Sequence, residues 1–381
     1  MNKFPGVGVF SRFDLETLID LGRIKPLPGF NKEHIQPASI DLTVSNGEAY
    51  QIDRLMRPCV RREKVRDMLH GLGARKIGIG SRLEPGCNYL VKATVDVDFP
   101  PGLYGYTNAK STSGRTFLFS RILVDTIGAY DTVDDRTNAL TGEVWLSLQP
   151  LVFPIVLSDK ECYAQLRVFD GDTRIKSAEE IDRFFHLNPD IVLRSDGSRF
   201  TQEELAFSRG RDGSMLCTLF AKAGNLIGFR ARNPGRALDL SLRGMDPRPY
   251  FEPVYAEPDP CNGGGGSVTV EPGWFYLFST NEMVHVPEHI CFELKMLDPR
   301  LDIFFSHFAG FFDPGFLGVP TLEVATIIPT TLRHGQEVAC FVPEYMRSKT
   351  VPYLGNYQKQ AGTKLPKQFK MPDEWEKAML G

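Results

Sequence analysis

An internal repeat constrains the fold of this chain more than any other feature of its sequence. The segment LEPGCNYLVKATVDVDFP at residues 83–100 aligns with VEPGWFYLFSTNEMVHVP at residues 270–287. The identical positions share one constant offset: Pro85, Gly86, Tyr89, Leu90 and Pro100 match Pro272, Gly273, Tyr276, Leu277 and Pro287. A repeat that occurs twice at a long period indicates a duplicated domain rather than a solenoid.

A second match in the same order, SIDLTV at 39–44 with ALDLSL at 237–242, supports the duplication. Short β-like runs broken by Pro and Gly, over about residues 83–169, favour an all-β sandwich or barrel. We therefore predict a mainly β chain: a domain at 1–172, a linker at 173–211 and a domain at 212–381. The glycine-rich CNGGGGS at 261–267 is expected at a hairpin tip in the second copy.

A few short helices are predicted around the strands. Apolar residues at near-helical spacing, after Ser11, predict a helix within residues 11–23. Residues 35–44 alternate as a strand after Ala38. The basic stretch 55–75 is interpreted as a second helix on an exposed face, and one linker helix is expected near 177–186.

The composition is typical of a soluble globular protein. The 381 residues are 42% hydrophobic and 24% charged, with a net charge of −3. That charge gives no general attraction to nucleic acid or membranes. No apolar run approaches the roughly 20 residues of a membrane span, and no secretion signal is recognised at the N-terminus. Seven dispersed cysteines without a CxxC pair favour a reducing cytoplasm.

One aromatic loop stands out as a candidate ligand site. Residues 307–323 read HFAGFFDPGFLGVPTLE and combine a Pro-Gly turn, four phenylalanines and Asp313, with Glu323 ten residues further on. Such a loop suits a flat aromatic ligand beside a carboxylate. From the residues alone, Glu323 could equally face solvent, Asp313 could serve only the turn, and the phenylalanines could be core.

A second candidate is AKSTSGR at residues 109–115, which concentrates a lysine, three hydroxyls and an arginine on one short turn. Hydroxyls and cationic side chains suit phosphate oxygens. A turn between strands that is rich in Ser and Thr is more often only a turn. The segment is not a Walker A loop, because GxxxxGK[ST] is absent.

These motifs resemble, in their order along the chain, the family of dCTP deaminases and trimeric dUTPases, and its dCTP deaminases most of all. IQPASIDL (35–42), KSTSGR (110–115) and AGFFDPGFLG (309–318) correspond to the IQPxSxDL strand, the triphosphate loop and the AGxxDPGFxG nucleoside pocket. NYQKQAGT (356–363) is similar to the KYxxQxG tail that closes over the nucleotide. The resemblance implies two fused dUTPase-like β-barrel or jelly-roll domains.

The resemblance also implies catalytic roles. Glu323 lies five residues after Gly318, where the deaminases carry their catalytic glutamate. It would act as general base on a water and return the proton to the leaving ammonia, with a pKa held near neutral by partial burial. Ser111 and Arg115 would orient the water and Glu323, and the carbonyl of Ala309 would be the other water ligand.

Substrate-binding roles follow from the same resemblance. Asp313 would accept a hydrogen bond from the deoxyribose 3′-hydroxyl, and Phe311 and Phe312 would form the walls around sugar and base. The phosphates would contact Lys110, Thr112, Ser113, Tyr357 and Gln360, although the last two, in a polar tail, could simply be solvated.

The expected cofactor is Mg²⁺, held mainly by the nucleotide triphosphate, with no metal ligands from the protein. Zinc deaminases carry HxE and PCxxC motifs, and neither occurs in this sequence. We therefore expect zinc-independent attack of water at C4.

Each half lacks what the other retains. The segment after the phosphate loop in the first half has no AGxxDPGF, and the position five after Gly142 is Ser147. In the second half, KMLDPRLD (295–302) keeps Arg300 but has lost the hydroxyls. The hypothesis is one composite site, with the phosphate loop from the first domain and the pocket from the second. Gene-duplicated viral dUTPases are a precedent in the family.

The predicted function is hydrolysis of dCTP to dUTP and ammonia, for thymidylate synthesis. The nearest alternative is a dUTP diphosphatase, or a bifunctional enzyme that forms dUMP. A non-catalytic deoxynucleotide sensor is the alternative of another class, because half of each ancestral site is lost. We expect a homo-oligomer with no nucleic-acid or membrane partner. Two arrangements stay open from the sequence, the family's usual trimer and an internal pseudo-dimer in its place.

Overall fold

The computed structural model describes residues 6–59, 63–135, 138–171, 177–201, 203–204, 214–261, 263, 265–296 and 309–380. The chain forms two compact units. The first unit contains Met1–Thr173, Asn233–Arg243 and Tyr345–Val351, and the second contains Arg174–Arg232, Gly244–Glu344 and Pro352–Gly381. Within the described ranges, no helix is both long and apolar enough to span a bilayer.

Strands dominate both units, which confirms the mainly β prediction. In the first unit they are Gly8–Val9 (β1), Ile24–Pro26 (β2), Ile40–Leu42 (β3), Val44–Ile52 (β4), Arg75–Ile77 (β5), Arg82–Leu83 (β6), Asn88–Phe99 (β7), Leu103–Ala109 (β8), Leu118–Val124 (β9), Thr132–Val133 (β10), Leu140–Pro150 (β11), Ile155–Val156 (β12) and Ala164–Asp170 (β13). One sheet has the order β5-β4-β7-β11-β9, with β2 on β7. Another has the order β1-β13-β8-β10, with β3 on β13.

The remaining strands lie in the second half of the chain. They are Val192–Arg194 (β14), Met215–Thr218 (β15), Leu226–Ala231 (β16), Leu238–Asp239 (β17), Phe251–Tyr255 (β18), Glu257–Pro258 (β19), Gly266–Val270 (β20), Phe275–Ser279 (β21), Glu282–His285 (β22), Ile290–Met296 (β23), Phe311–Phe312 (β24), Leu317–Gly318 (β25), Thr321–Ala325 (β26), Thr330–Arg333 (β27) and Glu337–Tyr345 (β28). Apart from β17, they form sheets of order β14-β22-β25, β15-β28-β23-β24, β18-β16-β21-β26 and β19-β20-β27. The CNGGGGS stretch joins the antiparallel pair β19 and β20, as expected of a hairpin.

The helices are short: Arg12–Asp20 (α1), Val65–Met68 (α2), Ser111–Arg115 (α3), Ala178–Leu187 (α4) and Asp373–Leu380 (α5), with a 3-10 turn at Lys32–His34. α1 begins as predicted, because the Ser11 side chain accepts from Asp14 N in a capping box. The helix predicted near 177–186 is present as α4, and it belongs to the second unit.

The predicted helix over 55–75 is wrong in extent and in exposure. Among residues 55–59 and 63–75, which the structure describes, the helix is limited to the single turn of α2, and its Val65 and Met68 are buried against a cluster that includes Leu72 and Trp145. The apolar side chains Val65 and Met68 are buried in the core. The prediction of an exposed face was wrong because it relied on the basic composition of the stretch and not on the positions of its apolar residues.

The repeated segments fold into matching turns. Gly86 and Gly273 both have positive φ angles, +78° and +80°. Behind each turn a tyrosine hydroxyl accepts a backbone N–H: Tyr89 from Glu84 N at 2.8 Å and Tyr276 from Glu271 N at 3.2 Å. The duplication therefore extends from sequence identity to hydrogen bonding.

The first unit also recruits two distant segments. Leu238 pairs in parallel with Ile155, so ALDLSL is placed differently from SIDLTV, whose strand β3 pairs antiparallel with β13. The other segment, 345–351, joins β1 through a parallel bridge between Val9 and Met346. Arg347 forms an ion pair with Asp170 there. Residues far apart in the sequence therefore complete this unit.

Candidate active site

Glu323, the predicted general base, is buried. It lies in the middle of β26, opposite Leu277 of β21, and its relative exposure is 2%. Its neighbours Leu322 and Val324 are 0% and 1% exposed, so both faces of this strand are covered. The alternative that Glu323 faces solvent is therefore wrong, and a buried carboxylate at this position requires a specific reason.

The first unit has a serine at the equivalent strand position. Ser147 of β11 lies opposite Leu90 of β7, and Leu90 matches Leu277 in the repeat. Ser147 is fully buried, and its hydroxyl accepts from Gln149 Nε2 at 2.9 Å. Strand register thus supports the equivalence of Ser147 and Glu323 that was inferred from the distance to a glycine.

The pocket loop, defined here as residues 309–318, is built around one tight turn. Phe316 N donates to Asp313 O at 3.1 Å, and Gly315 has a φ of +85°. Proline followed by a glycine of positive φ is typical of a type II turn. Asp313 is 6% exposed, so the turn keeps this carboxylate out of bulk solvent.

The two phenylalanines of the loop have different environments. Phe311 and Phe312 form β24 and pair with Glu293 and Phe292 of β23, so their side chains project to opposite faces. Phe311 is buried, whereas Phe312 is half-buried. The Phe312 ring lies 5.0 Å from that of Phe316. Phe312 therefore belongs to an aromatic cluster that still has an accessible side.

The tail, defined here as residues 352–364, packs against the pocket loop within the second unit. Gln360 is 5% exposed, its carbonyl accepts from Val319 N at 2.9 Å, and its side-chain amide donates to Val319 O. Tyr357 is 6% exposed, and its hydroxyl accepts from Lys367 N at 3.2 Å. The alternative that these two side chains are simply solvated is wrong. Their contact with phosphates stays a prediction.

Sequence reasoning missed Gln358. Its Oε1 accepts from Leu317 N at 2.8 Å, and its Nε2 donates to Gly315 O at 2.8 Å and to Tyr353 O at 3.2 Å. A glutamine in a polar tail carries no periodicity signal. The one available hint was its position inside NYQKQAGT.

The phosphate segment, residues 110–115, lies in the first unit between β8 and β9. Four of its residues lie in α3 and are buried: Thr112, Ser113, Gly114 and Arg115. The Ser113 hydroxyl donates to Tyr163 O at 3.0 Å. Lys110 and Ser111 are the half-exposed members, and they are therefore the side chains most open to a ligand.

Lys110 is held by an acidic partner. Its Nζ lies 2.8 Å from Asp41 Oδ1 and 3.4 Å from Gln165 Oε1. Asp41, from the IQPASIDL strand, is 6% exposed. This ion pair fixes the lysine at the edge of the segment. Nearby, burial lowers the pKa of His34, while the Asp41 charge opposes that shift.

The predicted site residues divide between the two units. Lys110, Ser111, Thr112, Ser113 and Arg115 are together in the first. Ala309, Phe311, Phe312, Asp313, Glu323, Tyr357 and Gln360 belong to the second. Arg300 and His307 lie outside the described residues. Among the residues that are described, no cluster of three or more His, Cys, Asp or Glu side chains is arranged to hold a metal ion.

Comparison with known proteins shows which family this chain resembles. The 2′-deoxycytidine 5′-triphosphate deaminase N-terminal domain family matches residues 6–172, and the C-terminal domain family of the same enzyme matches residues 197–369. The crystal structure of 2′-deoxycytidine 5′-triphosphate deaminase from Agrobacterium tumefaciens superimposes with a TM-score of 0.78 at 25% identity. That match covers 91% of this chain and 97% of the other.

Sequence relatives point to the same family. The dCTP deaminase of Aeropyrum pernix is 33% identical over 133 residues, which are 34% of this chain and 72% of the relative. The dUMP-forming dCTP deaminase of Corynebacterium diphtheriae is 37% identical over 108 residues, 26% of this chain and 58% of the relative. The match to its Coprothermobacter proteolyticus counterpart, at 31% identity, spans 26% of this chain and 56% of that protein.

These comparisons define the class of this chain as a mainly β protein with two domains of one deaminase family. The chain belongs to the dCTP deaminase family, and both the N-terminal and the C-terminal domain of that family are present.

Proposed function

We propose that this protein hydrolyses dCTP to dUTP and ammonia. The observation that carries the proposal is the burial of Glu323, at 2% exposure, in a family member whose equivalent position in the other unit is a serine. An acid retained in the interior of one copy alone is expected of a functional group rather than of a structural one.

In the proposed reaction, Glu323 removes a proton from a water whose oxygen bonds to C4 of the cytosine ring. The C4–N bond of the resulting tetrahedral adduct then breaks. Glu323 returns the proton to the leaving nitrogen, so that water and dCTP give dUTP and ammonia. Ser111 and Arg115 orient the water and the carboxylate, and the carbonyl of Ala309 accepts from the water.

Substrate binding is divided between the pocket loop with the tail and the phosphate segment. Asp313 accepts from the 3′-hydroxyl, and the half-buried Phe312 offers an aromatic surface next to it. Lys110, Thr112, Ser113, Tyr357 and Gln360 are the proposed phosphate contacts. The phosphate segment carries cations and hydroxyls rather than a carboxylate cluster, which fits Mg²⁺ that arrives with the nucleotide and offsets phosphate charge.

The two halves of the proposed site belong to different units. Only the first unit keeps the hydroxyl-rich segment, and only the second keeps the pocket loop and the acid. One composite site, formed from both units of one chain or of two chains, therefore uses every retained motif once.

The names of two relatives favour dUMP as an alternative product. The proteins from Corynebacterium diphtheriae and Coprothermobacter proteolyticus are named dCTP deaminase, dUMP-forming. A bifunctional enzyme would release dUMP and pyrophosphate in addition to ammonia. A non-catalytic nucleotide sensor would bind dCTP and release nothing.

The deciding experiment measures ammonia release and separates the nucleotide products for dCTP, dCMP, CTP and dUTP in the presence of Mg²⁺. We expect ammonia and dUTP from dCTP alone. Formation of dUMP with pyrophosphate would establish the bifunctional reaction, and tight dCTP binding without ammonia would overturn catalysis.

Ser111→Ala tests the composite site. We expect turnover to fall by about 10²-fold or more. Near-normal turnover would contradict a site that draws on both units. Co-expression of the Ser111→Ala chain with a Glu323→Gln chain then shows whether one chain or two supply the site. Activity returns only if Ser111 and Glu323 of the same site come from different chains.

A further inference from the structure

We propose that Gln358 is a positioning residue that holds the pocket loop in its substrate-binding geometry. The proposal rests on the proposed function for its kinetic consequence, but its structural part is independent of the substrate. The evidence is a set of contacts between the tail and the pocket loop, all within the second unit.

The Gln358 side-chain amide both accepts a hydrogen bond from the pocket loop and donates one to it. Its oxygen accepts from Leu317 N, and its nitrogen donates to Gly315 O, each at 2.8 Å. These two backbone groups follow Asp313 by two and four residues. A primary amide offers an acceptor and a donor on one carbon, and neither a carboxylate nor an ammonium group does.

The same amide ties the loop to the start of the tail. Gln358 Nε2 also donates to Tyr353 O at 3.2 Å, and Tyr353 N donates to Pro314 O at 2.8 Å. The adjacent residue continues the contact, since Lys359 N donates to Leu317 O at 2.7 Å. Lys359 has a φ of +58°, and a positive φ is uncommon for any residue other than glycine.

Two loop glycines are explained by this close approach. A Cβ on Gly315 would lie 2.8 Å from Pro352 Cβ, and one on Gly318 would lie 3.1 Å from the backbone nitrogen of Gln360. The DPGFLG sequence therefore fits a tail that lies directly on the loop. The tail therefore packs directly on the pocket loop. The hydrogen bonds of Gln358 to Leu317, Gly315 and Tyr353 hold the two together and are called the clamp below.

The acid is held by other means. Glu323 lies on β26, which is fixed by its ladder to β21, whereas the Gln358 side-chain bonds among the described residues go to Leu317, Gly315 and Tyr353. Loss of the amide should therefore disturb Asp313 and the aromatic loop more than the general base. The expected signature is weaker substrate binding with a smaller change in turnover.

The test compares Gln358→Ala and Gln358→Glu with Leu354→Ala, a tail residue that is 86% exposed and lies before the NYQKQAGT segment. We expect Gln358→Ala to raise KM for dCTP about tenfold and to change kcat less than threefold. Gln358→Glu keeps the acceptor for Leu317 N but places a carboxylate against two carbonyls, so its KM should rise at least as much. Leu354→Ala should leave both constants unchanged.

A readout without substrate separates this proposal from the proposed function. Hydrogen exchange at the Leu317 amide should accelerate at least tenfold in Gln358→Ala and stay at the wild-type rate in Leu354→Ala. Faster exchange in a protein that releases no ammonia would overturn deamination and keep the clamp. Unchanged exchange, or an unchanged KM in an active enzyme, would overturn the clamp.

Discussion

Ser147 occupies in the first unit the strand position that Glu323 occupies in the second. Each lies opposite a leucine, Leu90 or Leu277, that the repeat aligns. Both side chains are buried, at 0% and 2% exposure. The two units therefore differ at this point by one carboxylate, and only one copy of the domain can supply a general base from this position.

Replacing that carboxylate tests its role directly. We expect Glu323→Gln to lower kcat for dCTP by about 10²- to 10⁴-fold, because the amide cannot accept a proton from water. The affinity for dCTP should stay within about threefold of wild type. Steady-state ammonia release and equilibrium dCTP binding measure the two quantities.

The matched control is Glu337→Gln, an exposed glutamate on β28 of the same unit. It should retain wild-type turnover. A Glu323→Gln protein that keeps more than a tenth of the activity would remove Glu323 from the mechanism.

Restoring an acid to the first unit should not create a second site. Ser147→Glu places a carboxylate at a fully buried position on a strand whose Trp145 packs in the core cluster. We expect unfolding to become easier by about 2 kcal/mol or more, or about 4–8 °C in Tm. Ammonia release per chain should not rise.

Ser147→Ala separates the two effects of that change, since it removes the hydroxyl without adding charge. Its loss of Tm should be the smaller one. Additional deaminase activity in Ser147→Glu would show that the first unit retains a usable pocket.

Lys110 is expected to contribute binding energy through phosphate. Lys110→Gln removes the charge that now pairs with Asp41 at 2.8 Å. A charge-assisted hydrogen bond is worth about 1.5–3 kcal/mol, so KM for dCTP should rise about 10- to 100-fold. Binding of unphosphorylated deoxycytidine should change much less.

Titration calorimetry with both ligands measures this ratio, and Lys76→Gln, an exposed lysine of the same unit, is the control. Equal losses for nucleotide and nucleoside would mean that Lys110 supports the fold rather than the phosphates.

A buried glutamate outside the proposed site should make stability depend on pH. Burial raises the pKa of Glu282, and hydrogen bonds from Thr218 oppose the shift. Above about pH 4.5, the ordinary pKa of a glutamate side chain, the unfolded chain releases this proton while the folded chain still holds it. The contribution of Glu282 to stability therefore falls as pH rises toward the raised folded-state pKa.

Thermal unfolding between pH 4 and pH 8 tests this sign. The Tm of Glu282→Gln minus that of wild type should increase with pH over this window. The same difference for Glu288→Gln, an exposed neighbour, should be flat. A flat difference for Glu282→Gln would contradict the raised pKa.

The elements predicted correctly from sequence are those with local causes. The capping box of Ser11 defines the start of α1, and the Pro-Gly pairs of the repeat define two matching turns. Glu323 and Asp313 were identified by motif, but their burial was not fixed by motif, since an alternating strand allows either face.

What sequence reasoning missed has non-local causes. Gln358 acts through backbone groups about 40 residues away, a contact that no periodicity encodes. The addition of residues 233–243 and 345–351 to the first unit depends on pairings such as Leu238 with Ile155 and Val9 with Met346. Short segments of two or three paired residues leave no pattern that distinguishes them from loops.

These late-joining segments have a consequence for biogenesis. Domains generally fold in order as the chain emerges from the ribosome. Here the amino-terminal unit lacks its β17 edge until residue 243 has been made, and it lacks the Met346 bridge until residue 351 has been made. Synthesis must therefore pass residue 351 before the first unit is complete, and a ribosome that stalls between residues 244 and 344 would leave both units unfinished.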